Sequence, residues 1–189
     1  SASATLKALG VPSSVASSAT DLGVQCVGGR RRAAAKTAER ISKASVRARR
    51  NGLLVRKIGA VAKKLTRTGV VPQQAYGFEA LGLSEAQIKR MRANLASSLG
   101  DSHSGSCART YIAQCGSNVT DPAVDYALAQ VGIWIDMWAA SSAAERVSIR
   151  SAWAAALQMT CRTAPQHWIR NIKGPLSATV VVLRMQGWS

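Results

Sequence analysis

Few residues of this chain have the types and spacing that catalysis needs. None of the nine acidic side chains stands next to another acid or one residue away from it, so the close carboxylate pair of two-metal phosphoryl transfer is absent. Asp121 and Asp125 are four residues apart, but Asp121 precedes Pro122 and is better explained as a helix N-cap. The sequence contains neither a Gly-x-x-x-x-Gly-Lys phosphate loop nor a Gly-x-Ser-x-Gly nucleophile elbow. We therefore expect no catalytic residue, and no enzyme activity from this chain on its own.

The histidines and cysteines are the next candidates. His103, Cys107 and Cys115 follow a His-x3-Cys-x7-Cys spacing, which lacks the close cysteine pair of zinc knuckles and favours a polar loop. His167 is a lone imidazole before Trp168, and a structural role is the simpler interpretation. We expect no metal and no cofactor. Four cysteines with irregular spacing and no secretory signature favour reduced thiols.

The basic residues are different, because they are concentrated and patterned. Residues 30–67 contain fourteen Lys or Arg and one acid, Glu39, a net charge of 14 − 1 = +13 out of the total +16. Such a concentrated field attracts polyanions. At 100° per residue, five bases share a stripe about 80° wide on a predicted helix. They are Lys36, Arg40, Lys43, Arg47 and Arg50, hereafter the basic stripe, with Ala34, Ala38, Ile41, Ser45 and Ala48 opposite.

A second basic helix is expected after a break at Asn51-Gly52. Its predicted apolar face is Leu54, Ile58, Val61 and Leu65. The bases opposite are Arg56, Lys63 and Arg67, flanked by Lys57 and Lys64. A solvated charged face is the alternative interpretation of both helices. Solvated faces usually mix signs, however, because like charges at i, i+4 destabilise a helix, so the pattern favours polyanion binding.

The remaining elements are predicted from local signals. Residues 1–19 are expected to be a mobile lead-in, and residues 20–27 a short extended piece ended by Gly28-Gly29. The basic helices, predicted at 30–50 and 53–68, should end at Gly69 because Pro72 prevents simple continuation. Ser84 to Gln87 match a capping box and open a helix that closes at Gly100. Its predicted buried face is Ile88, Met91, Leu95 and Leu99.

Three further helices are expected in the C-terminal part. Asp121-Pro122 opens one, whose apolar positions are Val124, Leu128, Val131, Ile135 and Trp138. Ser142 to Glu145 repeat the capping box and open the next, through Trp153 and Leu157. The stretch 176–185 fits a helix or a Val-rich strand, and we expect a helix. The tryptophans are expected to anchor the core more than to stack on bases.

These elements make the predicted fold class mainly α. The regions are the lead-in 1–19, a basic helical region 20–100, a loop-rich linker 101–120, and a Trp-rich helical region 121–189. No apolar run reaches the roughly 18 residues that a membrane span needs, so a membrane partner is not expected.

Several motifs resemble the reverse transcriptases of non-LTR (LINE-type) retroelements. The sequence Asp21-Leu22-Gly23-Val24 is similar to the element that follows their catalytic palm, and the basic helices resemble the start of their thumb. The thumb signature is matched by Thr68-Gly69-Val70-Val71-Pro72, Ala75-Tyr76-Gly77 and Glu79. Gly82-Leu83-Ser84, Ile88, Arg90 and Arg92 resemble the helix after it.

The C-terminal part is similar to retroelement reading frames expanded in algal protist genomes. The matching residues are Asp121-Pro122-Ala123-Val124, Trp134, Trp138, Trp153 and the stretch from Gly174-Pro175 to Gly187-Trp188. The resemblance implies a primer-grip and thumb region at 20–100 and a connection region at 121–189. It also implies that the catalytic palm belongs before residue 1 and any nuclease domain after residue 189. Pro72, Tyr76 and Gly77 would be structural thumb residues.

The expected function is sequence-independent binding of a template–primer duplex. The expected contacts are Lys36, Arg40, Lys43, Arg47, Arg50, Arg56, Lys63, Lys64 and Arg67. The expected location is the nucleus or cytoplasm. One alternative is a structural subunit of an organellar ribonucleoprotein, whose basic helices clamp rRNA. Another is a protein–protein scaffold in which the Trp-rich helices dock a partner and the charge serves solubility.

Overall fold

Helices make up most of the chain. The computed structural model describes residues 18–21, 24–27, 32, 34–100, 105, 107–115 and 119–188. Two short strands, β1 (Ser18–Asp21) and β2 (Val24–Val27), pair antiparallel. The predicted mainly α fold class is confirmed. The expectations for residues 1–17, for Gly28-Gly29 and for residues 101–104, 106 and 116–118 of the predicted linker lie outside the described residues.

Helix α1 (Ala35–Ile58) is the longest element, at 24 residues. Its sequence is rich in Ala, Arg and Lys, which have high helix propensity, and contains no proline. One side of α1 packs along α4 (Glu85–Ser98). The buried positions recur every three or four residues, as a helix requires. They are Thr37, Ile41, Ala44, Ala48, Asn51, Gly52 and Val55.

The predicted break at Asn51-Gly52 is wrong, because α1 runs through it. Both residues are buried against α4. The Asn51 amide nitrogen donates to Thr66 Oγ1 (2.8 Å) and to the Ser98 carbonyl oxygen (3.1 Å). A Cβ at Gly52 would lie 2.2 Å from the Ser97 carbonyl oxygen, so glycine lets the two helices approach. This Asn-Gly pair therefore serves helix packing. The helix ends at Gly59, whose positive φ of 75° takes the chain out of α1.

The chain turns back beside α1 after Gly59. A 3₁₀ segment (Gly59–Lys63), a π-helical turn (Thr66–Val70) and helix α2 (Val71–Ala75) follow one another. The predictions that Gly69 ends the helix and that Pro72 forbids its continuation are wrong. The Val71 N–H donates to the Thr66 carbonyl, closing a π turn, and Pro72 occupies the first turn of α2, where a missing N–H is tolerated.

The helix predicted from the capping box in the middle of the chain is present. Helix α3 (Phe78–Leu81) precedes α4, whose capping box at Ser84 and Gln87 is confirmed. The predicted inward face of α4 is buried as expected. The predicted linker 101–120 contains a helix of its own, α5 (Ala108–Gln114).

The C-terminal part is helical, as predicted. Helix α6 (Pro122–Ala140) has Asp121 as its N-cap, and α7 (Ala143–Arg162) opens with the predicted capping box of Ser142 and Glu145. A short helix α8 (Pro165–Trp168) and a 3₁₀ turn (Ile169–Asn171) lead to α9 (Pro175–Met185), which confirms the helical interpretation of residues 176–185.

The main hydrophobic cluster draws on both predicted regions. Phe78 and Tyr126 meet edge to face, with ring centroids 5.7 Å apart. The buried members of the cluster are Ile41, Phe78, Leu83, Ile88, Met91, Tyr126 and Val182. Helices α1, α3, α4, α6 and α9 thus share one core, and the region boundaries stay a prediction.

The buried side of α6 does not carry most of its large apolar side chains. Tyr126 and Gln130 are buried, and Ala123, Ala127 and Ala129 pack against the main cluster. Val124, Leu128 and Ile135 are exposed instead. The small alanines lie where α6 packs closely against other helices. Which side of a helix makes such contacts depends on the shape of the neighbouring helices, and the periodicity of one helix gives no information about that shape.

Candidate nucleic-acid interface

The basic stripe lies on the side of α1 that faces away from the core. Lys36, Lys43, Arg47 and Arg50 are exposed, and Arg40 is half-buried. None of these five positions belongs to the buried face of α1. The structure therefore places the five predicted contacts along one accessible side of a single helix.

Glu39 lies within this stripe and pairs with two of its lysines. The distance from Lys36 Nζ to Glu39 Oε2 is 3.2 Å, and that from Lys43 Nζ to Glu39 Oε1 is 2.7 Å. Hydrogen bonds from Lys43 and then Lys36 lower the pKa of Glu39. Because all three side chains are largely exposed, the pairing organises the lysines while leaving them accessible to an anion.

Arg40 connects the stripe to the predicted thumb motif. Its Nη1 donates to the Tyr76 carbonyl oxygen at 2.9 Å, and its guanidinium lies 4.4 Å from the centroid of the Tyr76 ring. Tyr76 is half exposed and follows α2, while Gly77 takes a left-handed conformation with φ of 78°. Pro72 is exposed at the start of α2.

Arg47 makes a second link to the segment that runs back beside α1 after Gly59, residues 60–76, hereafter the returning segment. Its Nη1 donates to the Gly69 carbonyl oxygen at 3.1 Å. Together with the Asn51–Thr66 bond, this gives three links in antiparallel order: Arg40 to Tyr76, Arg47 to Gly69, and Asn51 to Thr66. Residues 35–76 therefore form a helical hairpin that turns at Gly59. The links hold the backbone beside the stripe in a defined position.

Buried amides support this hairpin from the side of α4. Asn94 donates to the Ile41 carbonyl oxygen (3.1 Å) and to Gln74 Oε1 (3.2 Å), joining α1, α2 and α4. These amides were not among the predicted site residues. The sequence signal for them is the position of Asn51 and Asn94 on otherwise apolar helix faces, where a buried amide needs partners.

The remaining predicted contacts, which follow the stripe in sequence, differ in their surroundings. Arg56 is exposed, but its Nε donates to the Gly100 carbonyl oxygen at 2.6 Å, so it ties the end of α1 to the end of α4. Lys64 and Arg67 are exposed, and Lys63 is half-buried. Within the described part of the chain, several basic side chains have no hydrogen-bonding or ion-pair partner. These are Arg49, Arg50, Lys57, Lys64 and Arg67.

The predicted apolar face of the second helix does not enter the core. Leu54, Ile58, Val61 and Leu65 are all exposed, and that prediction is wrong. In this part of the hairpin the buried residues are Val55, Ala62 and Thr66. The prediction assumed a new helix after a break at Asn51-Gly52. Because α1 instead continues to Ile58 and is followed by a tighter 3₁₀ turn, different residues of this stretch face the core.

Three of the five tryptophans form a cluster on α6 and α7. Trp134 stacks near Trp138, with centroids 6.2 Å apart, and lies 5.4 Å from Trp153. Arg146 and Arg150 each place a guanidinium within 5.4 Å of the Trp138 ring. These three tryptophans are half-buried, Trp168 is buried and Trp188 is exposed. Trp134, Trp138 and Trp153 thus join α6 and α7 at the surface, whereas Trp168 is the buried tryptophan.

Asp121 has a second role besides its N-cap. Its Oδ2 lies 2.8 Å from Arg92 Nε on α4, and both side chains are mostly buried. Burial raises the pKa of Asp121, but the hydrogen bonds from Arg92 and the Ala123 N–H and the charges of Arg92 and Arg109 outweigh it, so the pKa lies below its ordinary value. This ion pair joins the two predicted regions.

Comparisons with protein-family models, curated proteins and solved structures give no match to this chain. Across the described residues, no helix has both the length and the apolar character that crossing a membrane requires. In the same residues, no three His, Cys, Asp or Glu side chains are grouped so that they could hold a metal ion.

Proposed function

We propose that this chain binds nucleic-acid duplexes without sequence preference, through phosphate contacts along the basic stripe. The observation that carries the proposal is the accessible row of cations on α1, with Arg40 and Arg47 anchored to the returning segment. An arginine that is already oriented loses less side-chain entropy when it meets a phosphate. A guanidinium carries five N–H donors, so one bond to a carbonyl does not use all of them.

The partner class follows from the chemistry of the stripe. Lysine and arginine contact phosphates of any sequence and thereby position a duplex without reading its bases. The proposed role is therefore non-catalytic gripping.

The resemblance to retroelement reverse transcriptases gives this role a context. We propose that the chain acts as the thumb and connection part of such a polymerase, with palm and nuclease domains as its neighbours. The Arg40–Tyr76 contact supports this assignment, because it joins the basic stripe to the Pro-x3-Tyr-Gly motif on which the resemblance depends. The proposed location is intracellular.

The first experiment measures affinity for duplex DNA, an RNA–DNA hybrid and folded rRNA over a range of salt concentrations. If four to six phosphates are neutralised, log K against log salt should slope at roughly −4 to −5 for B-form DNA. A slope near zero, or no binding at low salt, contradicts the proposal. Strong preference for folded rRNA over both duplexes favours the ribonucleoprotein alternative.

Two charge-matched variants then distinguish a defined face from diffuse charge. Lys36, Lys43 and Arg50 are exposed residues of the basic stripe, and all three are changed to Gln. The control changes Arg162, Arg170 and Lys173, which are exposed in the C-terminal part. Both variants lose three positive charges. The stripe variant should lose most of its binding and flatten the slope by about one unit for each lost contact, and the control should change little. Equal losses would mean diffuse polycation behaviour.

A further inference from the structure

The turn of the helical hairpin exposes a cluster of large aliphatic side chains. Within residues 53–65, hereafter the hairpin tip, Ile58 is 61 % exposed and Val61 is 73 % exposed. Leu53, Leu54 and Leu65 are exposed as well. Every residue from Arg56 to Val61 is exposed, so no other described element covers this turn. Exposed aliphatic clusters of this kind mark interaction surfaces.

The charge around the tip restricts what can cover it. Residues 49–67 contain seven Lys or Arg, and the sequence has no acid from Arg40 to Phe78. A second copy of the same tip would bring like charges together. The complementary partner is therefore anionic and must also accept aliphatic side chains.

We infer that the hairpin tip binds the surface of an anionic lipid bilayer. The exposed aliphatic side chains lie among cations, so they can enter the boundary between headgroups and acyl chains while the cations reach the lipid phosphates. Residues 56–61 are all exposed at the turn of the hairpin, and a fluid bilayer can cover such a surface without a preformed groove. A nucleic-acid backbone would complement the cations but offers no apolar surface for the exposed leucine and isoleucine side chains.

This inference does not depend on the proposed nucleic-acid binding. The basic stripe runs from Lys36, the second residue of α1, to Arg50, whereas the aliphatic tip surrounds Gly59 at the turn of the hairpin. The expectation of no membrane partner depended on the lack of a spanning run, which has no bearing on attachment to a surface.

The test measures flotation of the full chain with vesicles of phosphatidylcholine, with and without phosphatidylserine. The tip variant carries Leu53→Ser, Ile58→Ser and Val61→Ser, which keep every charge. The control variant carries Leu128→Ser, Ile135→Ser and Val147→Ser, three aliphatic residues exposed to a similar degree on α6 and α7. Circular dichroism checks that both variants fold, and the single variant Val61→Ser provides a milder change. Duplex DNA binding and poly-glutamate binding are measured in parallel.

Binding of the wild-type chain should require phosphatidylserine. The tip variant should bind these vesicles about 100-fold more weakly, because each aliphatic side chain that leaves water contributes roughly a factor of five. The control variant should bind vesicles like the wild type, and the tip variant should bind DNA like the wild type. Absence of vesicle binding, equal effects of the two triple variants, or an unaffected tip variant overturns the inference. It is also overturned if the tip variant loses DNA or poly-glutamate binding as strongly as vesicle binding.

Discussion

Gly52→Ala should destabilise the protein, although alanine is normally the better residue inside a helix. Gly52 lies within α1, where replacing glycine by alanine usually stabilises by about 1 kcal/mol. Here the new Cβ would lie 2.2 Å from the carbonyl oxygen and 3.3 Å from the carbonyl carbon of Ser97. Both atoms belong to the backbone of α4, so no side-chain rotation can relieve the overlap.

The expected size follows from these two opposing effects. Relieving the overlap requires α1 and α4 to separate by about 1 Å, and overpacking of this kind destabilises by roughly 3 kcal/mol. After subtracting about 1 kcal/mol of propensity gain, the net loss is about 2 kcal/mol. With an m-value of about 2 kcal/mol/M, the urea midpoint should fall by about 1 M.

Gly132→Ala is the matched control. Gly132 lies within α6, and a Cβ added there meets no atom within 4 Å. The same chemical change should therefore raise the free energy of unfolding by up to about 1 kcal/mol, and the urea midpoint by up to about 0.5 M. Urea titrations followed by circular dichroism give both values. If Gly52→Ala stabilises the protein as much as Gly132→Ala does, that result contradicts the close packing of α1 against α4.

Two further predictions concern the polar contacts that join the helices. Asp121→Asn keeps an N-capping side chain but removes the ion pair with Arg92, so it should lose about 2 kcal/mol at neutral pH. The pKa of Asp121 is lowered in the folded state, so the difference in stability between wild type and variant should be full above about pH 4 and should shrink as the pH falls further. A stability difference that does not depend on pH would contradict the argument. Asn51→Ala should lose about 2 kcal/mol in urea titrations, because Asn51 is buried and bonded to Thr66 and Ser98. The control is Ser42→Ala, exposed on the same helix, which should be neutral or slightly stabilising.

Signals confined to a few neighbouring residues were sufficient for much of the fold. Both capping boxes and the Asp-Pro helix start need only local hydrogen bonds, and each was predicted correctly. The course of the chain at Asn51-Gly52 depends instead on Ser97 and Ser98, more than forty residues away. The same amide that favours a turn in isolation becomes a helix contact when α4 supplies its partner.

Burial was harder to predict than helicity, for a related reason. Leu54, Ile58 and Val61 have the spacing of a buried face, yet no element covers them in the described structure. Periodicity indicates which residues share a side of a helix, but it does not indicate whether another element lies there. The positions of the stripe cations could be predicted because a face that carries so many like charges is excluded from a core.

The hairpin links change how losses of binding in arginine variants must be interpreted. Arg40 and Arg47 each bind a carbonyl of the returning segment, so replacing either one removes a possible phosphate contact and also loosens the backbone beside the stripe. Arg50 has no such link and no ion-pair partner in the described structure, so its replacement reports on charge alone. If binding depended only on charge, Arg47→Gln and Arg50→Gln would have equal effects. If the hairpin orients the stripe, Arg47→Gln has the larger effect, accompanied by a fall in the urea midpoint that Arg50→Gln does not cause.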